Sequence, residues 1–116
     1  MQYLRIYAGP DGESHLEDVE VPGNPVGDAI QSDPFAATSL IFRHSPKAVF
    51  HDWHNAPRRQ FVIHLRGDVE IQTSDGELRR VPAGSVVLAE DVTGKGHTTR
   101  NLDPDRLSLT VPLPAG

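Results

Sequence analysis

Cysteine is absent from the 116-residue chain. That excludes disulfides, thiolate chemistry and cysteine-based zinc sites together. A reducing cytoplasm suits such a composition, and the protein is expected there. Basic residues are also scarce. Eleven Lys and Arg stand against 16 Asp and Glu, for a net charge of −5. An acidic chain is repelled by phosphate backbones and by anionic lipid surfaces, so neither nucleic acid nor a membrane is expected as a partner. Long apolar runs are missing too. The longest is Val86-Val87-Leu88-Ala89, where a membrane helix needs about 20 residues. The opening MQYLRIYAG lacks the apolar segment of an export signal, and none is expected.

What the chain does contain is a globular composition with much punctuation. Hydrophobic residues make up 37%, and there are ten Pro and ten Gly. A single domain over residues 1–116 follows from the length and from the lack of any dividing linker. Apolar residues recur with a period of two. Leu4 and Ile6 alternate with Tyr3, Arg5 and Tyr7. Val19 and Val21 flank Glu20, and Val69 and Ile71 alternate with Asp68, Glu70 and Gln72. Leu107, Leu109, Val111 and Leu113 alternate with Ser108, Thr110 and Pro112. Each pattern predicts a half-buried strand with its apolar face inward. Asp75-Gly76 and Pro82-Ala83-Gly84 read as turns between them. Residues 22–36 read as a loop with one short helical turn over 26–30. No stretch keeps a helical period for three turns, so the fold class is all-β, an antiparallel sandwich, barrel or jelly roll.

Residues 60–66 carry apolar content on both faces. Phe61, Ile63 and Leu65 form one face, and Gln60, Val62 and His64 the other. A strand of this kind is covered on both sides. Gln60 and His64 then point into an interior, where polar groups must find partners. Five of the six histidines are site candidates: His44, His51, His54, His64 and His97. Imidazole is both a metal ligand and an acid–base group near neutrality. A single histidine in a β-fold is more often a hydrogen-bonded structural group, the bland reading for His44 and His51. Trp53 has packing as its bland reading and the edge of a pocket as its functional one.

The stretch HDWHNAPRRQFVIHLRG, residues 51–67, and the stretch 76–101 resemble the two motifs of the cupin superfamily. The first motif sets two His one residue apart, then a Glu, then a Gly. Here Gln60 stands seven before Gly67, in the Glu place. Two registers fit the preceding pair, His54 with Ala56 or Asp52 with His54. The second motif matches as Gly76, Pro82 and Gly84 followed by His97 and Asn101. The resemblance implies an antiparallel double-stranded β-helix, the jelly-roll barrel. It further implies a divalent ion (Fe, Mn, Ni or Zn) on His54, Gln60, His97 and Asp52. The site it implies has His64 and His97 as proton-transfer groups, and His54, Gln60, Trp53 and His44 at the ligand. Expected functions are dioxygenase-, isomerase- or cyclase-like chemistry on a small molecule in the barrel. The alternative is a non-catalytic module that binds or senses one. Histidine chemistry would make rate or affinity vary between about pH 5 and 8. A homodimer is expected, with the outward face Phe61, Ile63 and Leu65 covered by a second copy. The N-terminal strand, with Leu4, Ile6 and Tyr7, is the competing cover.

Overall fold

The structure is a computed structural model and describes residues 1–115. Its regular elements are all strands. In chain order they are β1 (Gln2–Ala8), β2 (Ser14–Glu20), β3 (Asn24–Val26), β4 (Ala29–Gln31), β5 (Ile41–Ser45) and β6 (Phe50–His54). There follow β7 (Gln60–Arg66), β8 (Val69–Thr73), β9 (Leu78–Val81), β10 (Val86–Ala89), β11 (His97–Asn101) and β12 (Arg106–Pro112). The expectation of an all-β chain holds. Six strands form one sheet in the order β2-β1-β10-β7-β12-β5, and four form another in the order β6-β11-β8-β9. The two ladders do not join into a closed barrel. One pairing, β1 with β10, is parallel, and the others are antiparallel. No helix among the described residues is long and apolar enough to cross a membrane.

The core lies where the two sheets face each other. Leu4 and Ile6 of β1 and Val87 of β10 come from the larger sheet. Val69, Ile71 and Val81 of β8 and β9 meet them from the smaller one. These residues occupy alternate positions, as the pleat requires. Full burial of each such side chain contributes about 1.5–3 kcal/mol.

Three expectations need correction. The helical turn over residues 26–30 is a small hairpin, β3 with β4. Gly27 takes a φ of 60° at the first of its two turn positions. A two-residue Gly-Asp loop supplies that positive φ without strain, and hairpin geometry wins over helix. The second correction concerns β12. Arg106, Ser108, Thr110 and Pro112 are its buried positions, while Leu107, Leu109 and Val111 are only half-buried. Its polar face therefore points inward. Alternation shows that a strand has two faces and leaves open which one meets the core.

The third correction concerns the outer face of β7. Phe61 meets Tyr3 edge-to-face at 5.4 Å between ring centres and Phe35 at 5.2 Å. Phe35 comes from the loop after β4, so this chain itself covers much of that face. Tyr3 belongs to β1, so the N-terminal strand shares in the cover, through Tyr3 rather than through Leu4 and Ile6, which point into the core. Leu65 stays exposed, Phe35 itself is half exposed, and Ile41, Phe42, Phe50 and Trp53 on β5 and β6 are exposed as well.

Ile6 is almost fully buried among residues from both sheets. Ile6→Ala should cost about 2–5 kcal/mol in urea unfolding at pH 7. A loss below about 1 kcal/mol would mean the sheets do not pack as described.

Candidate functional site

The polar inward faces leave a cavity of about 400 Å³ between the sheets. Apolar side chains such as Ile6, Val62, Val69, Val87 and Ala89 form part of its wall. His51, His54, His64, His97 and Gln60 also line it, as do Arg43, Arg106, Ser108, Thr99 and Thr110. No carboxylate lines it among the described residues.

His54 and His97 are directly paired across β6 and β11. Their ring centres lie 4.5 Å apart, and those of His51 and His54 lie 6.1 Å apart. His51 reaches the same side as His54 through a bulge. His97 pairs with His54 and Thr99 with His51, so two steps on β11 match three on β6. The extra residue reverses the alternation between positions 51 and 54. Asp52 and Trp53 fall within the bulge and leave the cavity. The Asp52 carboxylate accepts the backbone N–H of Trp53 at 2.8 Å. Trp53 lines a separate shallow depression with Ser74 and Lys95. Neither register of the sequence motif, His54 with Ala56 or Asp52 with His54, pairs His54 with His51 as the bulge does.

The imidazoles are held by their second nitrogens. Nδ1 of His97 donates to Asp91 at 2.5 Å, and Asp91 is 0% exposed. Nδ1 of His54 donates to the Asp52 carbonyl at 2.6 Å. In both rings Nε2 remains free to act as an acceptor. The segment carrying Asp91 is strapped to β6 by Asn55, whose side-chain amide donates to the carbonyls of Asp91, Thr93 and Gly94. Gly96 brings the same segment close. A Cβ there would lie 2.2 Å from the His54 carbonyl oxygen, so only glycine fits.

His64 is 3% exposed and accepts a hydrogen bond at Nδ1 from Arg106 Nη2 at 3.0 Å. Burial, with the Arg106 charge added, pushes its pKa down to about 4. Burial also lowers His51, together with the charges of Arg43, His54 and Arg106. Gln60 lines the cavity and accepts from Arg58 at 2.9 Å. His44 does not reach the cavity. It neighbours Arg43 on β5, so alternation turns it outward, where it meets Asp105 at 2.6 Å.

Metal ligation was expected on His54, Gln60, His97 and Asp52. The donors present are a poor fit for a divalent cation. Asp52 faces away, Asp91 does not line the cavity and holds His97 through one oxygen while its other oxygen is buried and unpaired, and two guanidiniums share the space. No group of three or more His, Cys, Asp or Glu among the described residues is arranged to hold a metal. The residues that sequence reasoning missed are Arg43, Arg106, Ser108, Asn55 and Asp91. Polar alternation over Arg106, Ser108 and Thr110 was the available signal.

No family model matches the chain, and no curated protein matches it. Among solved structures, the chain is similar to the crystal structure of a conserved protein of unknown function from Streptococcus pyogenes. The identity is 18% over 84% of this chain and 98% of that one, with a TM-score of 0.48.

The depressed His64 makes stability depend on pH. Between about pH 6.5 and 4 the unfolded chain binds a proton that the folded chain refuses. Stability from this source is complete above pH 6.5 and is lost as the pH falls towards 4, by roughly 3 kcal/mol at most. Urea unfolding at pH 7 and pH 5 should show the loss in the native chain and a smaller one in His64→Gln. Equal losses in both would refute the assignment.

Proposed function

We propose that this chain is a cupin-type domain that binds a small molecule between its sheets and exchanges a proton with it through His97. One observation carries the reading. His97 is fixed by a fully buried Asp91 through Nδ1 and lines the cavity beside His54. A carboxylate behind an imidazole holds its tautomer and stabilises the charged ring if a proton is taken up. His64 has a different role here from the one expected. Its Nδ1 is occupied by Arg106, and burial keeps it neutral, so it positions Arg106. Isomerisation- or cyclisation-like proton chemistry suits these groups better than metal-dependent oxygenation.

The test begins with a thermal-shift screen of a small-molecule panel against the full chain. A compound that binds in the cavity should lose affinity about tenfold or more in His97→Gln. In heavy water its exchangeable C–H signal should disappear faster with the native chain than with Asp91→Asn. Binding without exchange would favour the non-catalytic binding module. Stabilisation unaffected by His97→Gln would place the ligand elsewhere and end the reading, as would a stoichiometric transition metal on the purified protein.

A homodimer belongs to the same proposal, now through a different surface. Phe42 is 74% exposed on the outward side of β5, the side it shares with His44. A second copy is the simplest cover for it. Light scattering coupled to size exclusion should give about 25 kDa, twice the chain mass of 12.7 kDa. Phe42→Glu should return the mass to that of one chain. A native chain that elutes as a monomer at micromolar concentration would refute the dimer.

A further inference from the structure

The chain is acidic overall, with a net charge of −5, yet its cavity concentrates positive charge. Register brings the charges together. Ser108 on β12 lies opposite His64 on β7 and opposite Arg43 on β5. Arg106 stands two residues along β12 and so shares the inward face. Arg106 is 8% exposed, and its Nη2 is anchored on His64. Its Nε–H has no acceptor, and the fully buried Ser108 hydroxyl has no partner. No carboxylate pairs with Arg106 or with Arg43 among the described residues.

An uncompensated buried cation is costly, and buried donors are rarely left unpaired. An anion in the cavity removes both costs. A guanidinium with a free N–H edge favours a planar carboxylate, which it can hold through two parallel bonds. From this arrangement we infer that the ligand is a small organic acid. Its carboxylate is held by Arg106, Arg43 and Ser108, and its apolar body lies against Ile6, Val62 and Val87. This rests on the cavity being the ligand site proposed above, and it names the chemical class of that ligand. The carboxylate binds at β12 and β5. His54 and His97 face the same cavity from β6 and β11, so the acid's body lies within reach of the proton-transfer pair. Substrate anchoring and proton transfer are thus divided between the two sheets.

Acids can be compared with their own amides on the native full-length chain. Benzoate, phenylacetate, hexanoate and succinate are titrated against benzamide, phenylacetamide, hexanamide and succinamide. Ionic strength is held constant with sodium chloride, and inorganic phosphate serves as the plain anion. At least one acid should bind about tenfold or more tighter than its amide and than phosphate. That preference should vanish in Arg106→Met and weaken in Arg43→Gln. Without ligand, Arg106→Met should unfold at the same or higher urea concentration, because it removes an unpaired buried charge. A guanidinium needed only for structure would give lower stability and unchanged acid binding, which overturns the proposal. Should Arg106→Met fail to fold, the acid–amide comparison on the native chain and on Arg43→Gln decides. Amides that bind as well as acids, or phosphate that binds as well as both, also overturn it. If such an amide loses affinity in His97→Gln, the cavity remains the ligand site and only the organic-acid assignment falls.

Discussion

The guanidinium of Arg106 sits between two sheets with no carboxylate beside it among the described residues, and much of the cavity is arranged around that charge. Nδ1 of His64 accepts one of its N–H groups, which requires a neutral ring. The burial of His64, with the charge of Arg106 added, holds that ring neutral. Arg43 adds a second cation, and burial followed by that charge lowers Arg106 itself. Arg nonetheless stays protonated in proteins, so the positive field is permanent. A divalent metal would meet repulsion there, and an anion would meet attraction. The character of the site follows from this imbalance more than from any single histidine.

Core and cavity occupy the same gap between the sheets. Leu4, Val81 and their neighbours close it with apolar contacts. Arg106, Ser108 and Thr110 keep it open further along, since charged and hydroxyl groups cannot interlock as a dry core does. The strands on the open side bear the consequence. All of β6 and most of β5 are exposed, and their apolar side chains stand in solvent. The open cavity and incomplete burial are thus two results of one choice of inward residues.

Precision at His97 comes from a connection outside the strands. Asp91 follows β10 and is fixed by burial, by Asn55 at the end of β6 and by the close approach at Gly96. Ser14 adds a bond from its hydroxyl to the Gly96 carbonyl at 2.6 Å. The imidazole is aimed by a loop whose ends belong to different sheets. Such a device holds an imidazole in place without needing a ligand to organise it.

Much of the framework was legible in the residues themselves. Period-two alternation marked β1, β7, β8 and β12, and turn chemistry marked the bend after β8. Mixed polarity on β7 correctly turned Gln60 and His64 inward, because a two-sided strand must hide some polar groups. His54 and His97 were also legible as partners. Three matters were decided only by tertiary structure. The bulge in β6 replaced Asp52 with His51, and a bulge depends on pairing with β11 rather than on local sequence. The inward face of β12 was its polar one, because the cavity was there to receive Arg106 and Ser108. Asp91 met His97 because a loop folded back. Local sequence determines where strands alternate and turn. Which face is inside, and which distant charge stands beside which ring, depends on how the sheets are brought together.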